Sequence, residues 1–229
     1  GEWWEKYDKS CNKNVKIIKP VSFEKSFEII AQSRVLADSS PFFKMGVHDR
    51  IYAGMANNTV VMTDSNKYRM NILENVAEVY SINDVDDICA KADKLLNDTA
   101  YYENMVYRAH EEYKKNYTWI KDAYQINLGA EHVCTSDINK KEKNILFMGT
   151  FRKPDVYMKH ILRCGIREKN DMLSMIDRIM SNEELSIEDS INIEPKAELL
   201  NKYYLVEMYI RNYYRKKLID TLVDNGFPL

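Results

Sequence analysis

The 229-residue sequence lacks a dominant charge: 33 Lys and Arg stand against 35 Asp and Glu, a formal net charge of −2. No global field draws the chain to nucleic acid or to an acidic membrane surface, so selective binding has to be local. Paired cysteines are lacking too. Cys11, Cys89, Cys134 and Cys164 are scattered without a C-x-x-C spacing, which argues against a structural zinc site or a disulfide framework and reads as reduced, buried thiols. His110, His132 and His160 have no partner at metal-ligand spacing, so no metal is expected and surface or capping roles are assigned to them. No apolar run approaches bilayer length and no signal-peptide pattern opens the sequence, so the expectation is a cytoplasmic protein without a membrane span. Internal repeats and low-complexity tracts are absent as well.

What is present is enough apolar material, 45% of residues, for one large domain or two small ones. Val15–Pro20 reads as a strand ended by proline, and Ser22 as the N-cap of a helix containing Phe23, Phe27, Ile29 and Ile30. Arg34–Ala37 is a second strand, Asp49–Ala56 a helix, Thr59–Thr63 a third strand and Ala77–Tyr80 a fourth. Asp84–Asn97 and Asp98–Tyr117 have helical spacing. Strands alternating with helices of this length imply a parallel sheet covered on both faces, an α/β domain. After a polar connector, Asn144–Met148 is the clearest strand of all, and helical patterns fill the remainder apart from an acidic connection over Ser181–Lys196. In the last pattern Leu205, Met208, Tyr209, Leu218, Ile219 and Leu222 suit a buried stripe, with Arg211, Arg215, Lys216 and Lys217 around it. Asp224-Asn225-Gly226 reads as a helix stop and Phe227-Pro228-Leu229 as the first residues of a strand. The tyrosines of this helix read as packing groups, and no nucleic-acid binding is expected.

Open parallel sheets bind ligands at the carboxyl ends of their strands, where helix N-termini and backbone N–H groups meet anions. Three segments occupy such ends. In Gly149-Thr150-Phe151-Arg152-Lys153 the glycine permits close backbone approach, and the two cations either neutralise a diphosphate or are solvated charges. In the loop Ser39–Arg50, Gly46 supplies a tight turn, while His48 and Arg50 either meet phosphate or sugar oxygens or, respectively, cap a helix and pair with an acid. In Thr63-Asp64-Ser65-Asn66, Thr63 and Ser65 offer small polar side chains to a sugar or phosphate. Asp64 lacks a second carboxylate at a spacing that marks a glycosidase pair, so hydrolysis is the weaker chemistry.

The stretch VLADSSPFFKMGVHDRIYAGMANNTVVMTD, the helix pair after it and the closing NYTWIKDAY together resemble the C-terminal end of GT-B glycosyltransferases, notably the spore-maturation-protein-like group. That group has a helix pattern R-x-x-x-x-M-x-x-G, matched here by Arg50, Met55 and Asn58, with Asn58 in place of the glycine. The family's acidic residue that bonds the donor ribose falls at Ala53. ILFMGTFRKP resembles the strand and phosphate-facing loop that open the same domain, and MYIRNYYRKKLIDTLVDNGFPL the helix and strand that follow it.

In the family these segments come in the reverse order. The resemblance therefore implies a single Rossmann-like domain, one half of a GT-B fold with a helical insertion, in circularly permuted order. Residues 1–127 would be the later part of the family domain and 128–229 the linker and earlier part, with Leu229 adjoining Gly1 and a fusion near Asn127-Leu128-Gly129. A concatenated or tandem gene product is the alternative. The implied function is sugar transfer from a nucleotide-diphosphate sugar without a metal or other cofactor. Gly46, His48, Arg50, Thr63, Ser65, Gly149, Thr150, Arg152 and Lys153 line the donor site, His48 and Arg50 being the catalytic candidates. A separate acceptor-binding N-terminal half would be the partner. A non-catalytic donor-binding or regulatory module and a helical interaction protein are the other readings.

Overall fold

The computed structural model describes residues 6–7, 9, 12–40, 47–65, 67–117, 138–182, 185 and 197–229. Gly46, Gly1, Cys11, Cys134, His132, the expected junction at 127–129 and most of the acidic connection lie outside the described residues.

The elements run α1 (Phe23–Gln32), β1 (Ser33–Asp38), α2 (Asp49–Ala56), β2 (Val60–Asp64), α3 (Lys67–Ile72), β3 (Glu78–Tyr80), α4 (Val85–Asn97) and α5 (Thr99–Glu112). They continue with β4 (Glu142–Phe147), α6 (Pro154–Ile161), α7 (Ile166–Ser181) and α8 (Ala197–Asp224). The four strands form one parallel sheet in the order β3-β2-β1-β4. Every residue of β1 and β2 is buried, which is why both strands are short apolar runs without alternation. Val35, Val60, Met62 and Ile145 join the cluster under α4, α5, α7 and α8, while Val61 faces Ile51 and Met55 of α2 on the opposite side. Chain caps set the helix boundaries: Ser22 Oγ accepts from Lys25 N at 3.2 Å, and Asp84 and Asp98 do the same for α4 and α5.

The helix α2 lies close to the sheet because Gly54 has no side chain. A Cβ there would stand 2.7 Å from Val61 Cγ2 and 3.3 Å from Leu36 Cδ2. At its end Asn58 has φ +56°, a conformation in which Asn is second only to Gly, and this accounts for the Asn in place of the family's glycine.

The expected strand over Val15–Pro20 is corrected to a single bridge. Leu229 N donates to Asn14 O at 2.8 Å and Lys16 N donates to Leu229 O at 2.8 Å, the bond pair of a parallel bridge. Among the described residues no ladder extends along this segment. Ile145 N donates to Pro228 O at 2.9 Å, which puts 228–229 between β4 and residues 14–16. The turn into it is a Schellman motif: Phe227 N donates to Leu222 O at 3.0 Å and Gly226 N to Val223 O at 3.1 Å, with Gly226 at φ +81°. The first residues also lean on α8, where Tyr7 OH donates to Asp220 at 2.6 Å and Lys9 pairs with Asp224.

On α8 the buried apolar residues are Val206, Ile210, Tyr214, Leu218, Ile219, Leu222 and Val223, while Leu205, Met208 and Tyr209 are half-buried. Arg215, expected around the buried stripe, is itself buried at 7% exposure. The helix packs against α4, α6 and α7, so more than one of its faces is covered. Cys89 and Cys164 are free thiols but half-buried, less enclosed than expected.

Candidate functional site

The carboxyl ends of β1, β2 and β4 gather a buried polar network. Asp38, the last residue of β1, is fully buried; its Oδ2 accepts from Ser40 Oγ at 2.8 Å and its carbonyl from Tyr80 OH at 2.7 Å. Asp64, the last residue of β2, accepts from Ser40 N at 2.9 Å and pairs with Arg69. Arg69 is fully enclosed and also donates to Thr63 Oγ1 at 3.2 Å and Ser40 O at 2.8 Å. Burial pushes the Asp64 carboxyl up despite the opposing Arg69 guanidinium.

From the second residue of α2, Arg50 reaches across the gap between β1 and β4. Its Nη1 donates to Asp38 Oδ1 at 3.3 Å and to the Met148 carbonyl. His48 is the N-cap residue of α2, and its Nδ1 touches both Asp49 Oδ1 and, at 3.4 Å, Arg50 N. One nitrogen cannot donate and accept at once, so the closer contact decides: Nδ1–H donates to Asp49, and Nε2 accepts from Arg50 Nη2 at 3.3 Å. Arg50 N is then met by Asp49 Oδ1 at 2.8 Å. Burial and the Arg50 guanidinium hold the His48 pKa below its usual value, so the ring is neutral at pH 7.

The loop after β4 is pinned residue by residue. Arg50 holds the Met148 carbonyl and Arg215 Nη1 the Thr150 carbonyl, the latter at 2.8 Å. Phe151 is buried edge-on against Tyr7, and Asn212 Oδ1 accepts from Arg152 N at 2.9 Å. Gly149 has φ +153°, and a Cβ there would lie 3.4 Å from Arg50 Nη1 and 3.8 Å from Arg215 Cζ. Two guanidinium groups thus border one glycine.

Of the residues expected to line a site, His48, Arg50, Gly149 and Thr150 come together here. Arg152 is exposed in the same loop and Lys153 is the half-buried N-cap of α6. Ser65 is half-buried at the end of β2, where its N–H donates to Tyr80 O. Thr63 lies beneath, fully buried and engaged with Arg69 and the two carboxylates, so its hydroxyl faces the network and not a cleft. The capping position of His48 and the pairing of Arg50 with an acid both hold, and neither prevents the two side chains from facing the β4 loop. Asp38, Arg69, Asn212 and Arg215 were not expected. Only Asp38 carried a signal, as an acidic residue at the end of an apolar strand.

His110, expected in a surface or capping role, is half-buried with Nδ1 at 3.3 Å from Met55 O near the end of α2. Among the described residues no group of His, Cys, Asp and Glu could hold a metal ion, and no helix is long and apolar enough to cross a membrane.

A parallel sheet flanked by helices, with its polar groups gathered at the carboxyl ends of the strands, defines a Rossmann-like α/β domain. Residues 1–127 of the 229 match the family model described as glycosyl transferase-like, so the chain belongs to that family. No curated protein and no solved structure matches the chain.

Proposed function

We propose that the chain is the donor-binding half of a GT-B glycosyltransferase, taking a nucleotide-diphosphate sugar at the gap between β1 and β4. The observation that carries this reading is the strand order. If the bridged segments 227–229 and 14–16 are added at the β4 edge of the four-stranded sheet and the count is begun at β4, the order is the doubly wound 3-2-1-4-5-6. In that order the reversal falls between the first and fourth strands, here β4 and β1, and ligands bind in the crevice at such a reversal. Arg50, Gly149 and Thr150 stand at that point. The same count supports the circularly permuted reading of the family order.

Sugar transfer requires the diphosphate to leave with its negative charge stabilised. Arg50 and the β4 loop supply fixed positive charge and a shaped backbone in this proposal, with no metal or other cofactor. A separate acceptor-binding half is the partner that would supply a base and the acceptor. A cytoplasmic setting, where nucleotide sugars are the donors, fits the near-neutral charge and unpaired thiols.

Thermal-shift titration with a panel of nucleoside diphosphates and their sugars tests the reading. One base is expected to raise Tm progressively, since a ligand at a hundred times its Kd stabilises by about 2.7 kcal/mol. A flat response to every nucleotide would remove the donor assignment.

A further inference from the structure

Five ionisable side chains are gathered at the carboxyl end of the sheet: Asp38, Asp64, Arg50, Arg69 and Arg215. Two pairs form, Asp38 with Arg50 and Asp64 with Arg69, and one cation is left over. Among the described residues Arg215 has no ion-pair partner. Its hydrogen bonds go from Nη1 to the Thr150 carbonyl and, at 3.5 Å, to Thr150 Oγ1, while its buried Nε has none. Burial lowers its pKa to about 10, with Arg50 and Arg211 acting in the same direction and the Asp38 and Asp64 carboxylates opposing more weakly, so it remains a cation at neutral pH. A buried cation without a counter-ion carries a desolvation penalty that an anion at the site would offset.

The geometry says where the anion would sit. Arg50 Nη1 and Arg215 Cζ, with the edge of the Phe147 ring between them in distance, border the position a Gly149 side chain would occupy, and the glycine leaves that position without a Cβ. Arg50 arrives on α2 and Arg215 on α8, so two forked donors approach one spot from two elements, the arrangement that suits tetrahedral oxygens.

We infer that Arg215, together with Arg50, holds a diphosphate beside Gly149. This rests on the donor reading for its biological ligand, while the anion site itself follows from the charge count. Arg215 is a binding residue in this assignment.

Isothermal titration of inorganic pyrophosphate, uridine diphosphate and guanosine diphosphate into wild type, Arg215→Gln and Arg215→Lys tests it, with ligand-free Tm measured for each protein. Expected is binding of pyrophosphate and of at least one nucleotide to wild type, at least tenfold weaker in Arg215→Gln and partly recovered in Arg215→Lys. The ligand-free Tm of Arg215→Gln is expected to equal or exceed that of wild type, because the variant no longer buries an uncompensated charge; a residue with only a structural role would lower it. Equal nucleotide affinity in wild type and Arg215→Gln overturns the assignment and leaves the donor reading standing. Pyrophosphate binding that depends on Arg215, with no nucleotide bound, upholds the anion site and removes the donor reading. Loss of affinity accompanied by a fall in ligand-free Tm assigns Arg215 to loop anchoring and overturns the inference, and failure of every anion to bind wild type overturns both.

Discussion

Two of the cations buried at opposite ends of the sheet, Lys141 and Arg215, are treated in opposite ways. At the amino end Lys141, 8% exposed, donates to Ala31 O, Ser33 O, Asn57 O and Thr59 Oγ1 at 2.7–3.2 Å. Three ammonium hydrogens face four oxygens, and the group ties the start of β4 to the ends of α1 and α2 and the approach to β2. At the carboxyl end Arg215, equally buried, has an unmatched Nε and only the Thr150 carbonyl and hydroxyl as acceptors. A buried cation surrounded by acceptors holds a fold together, whereas one short of acceptors has capacity for a ligand.

That contrast breaks most visibly at Lys141. Replacing it with Met removes a donor shared by four buried oxygens, and the expected loss is about 2–4 kcal/mol of unfolding free energy by chemical denaturation. Burial pushes the Lys141 pKa down to about 8, so the charged form is already penalised. A Met variant as stable as wild type would mean that the acceptors find water and that the two ends are not so different.

A smaller effect is expected from pH. The folded pKa of His48 lies below its usual value of 6.5, so the unfolded chain takes up the proton first. The stability linked to this group is complete above pH 6.5 and is lost as pH falls through 6.5 toward the folded pKa. Protonation would place an Nε2–H against Arg50 Nη2, adding a cation where cations are already in excess. Tm measured from pH 7.5 down to 5.5 should fall less steeply in His48→Asn than in wild type; parallel curves would show that the ring is not coupled to Arg50.

The smallest change belongs to the amino end again. Asn58 sits at φ +56°, so Asn58→Ala should lower stability by about 1 kcal/mol while Asn58→Gly leaves it unchanged or slightly raised. Equal losses for the two variants would indicate that the side chain, and not the backbone conformation, matters there.

The central strands could be read from the sequence because β1 and β2 are enclosed on both faces, so burial leaves an uninterrupted apolar run. Helix starts were equally plain where Ser22 and Asp84 precede amphipathic segments. The segment over Val15–Pro20 has strand composition, but composition does not say which backbone lies beside it, and among the described residues its pairing is the single bridge with Leu229. Arg50, Gly149 and Thr150 were accessible as residues at strand ends. Arg215 was not, because Arg215, Lys216 and Lys217 are consecutive on a helix and point about 100° apart, and the sequence does not say which of them faces inward. The low apolar contrast around α8 follows from its contacts with three other helices, which leave no single stripe to find.

The closeness of α2 to the sheet acts as a depth gauge for the site. Arg50 lies one helical turn before Gly54, and the missing Cβ at Gly54 lets the helix settle so near the sheet that a Cβ there would stand 2.7 Å from Val61 Cγ2, inside the ordinary contact range of 3.4–4 Å. Adding a single methyl there would lift the whole turn outward and draw the guanidinium back from the Met148 carbonyl. The grip on a ligand is thereby set from the far side of the helix, at a residue that touches none of the site's charged groups.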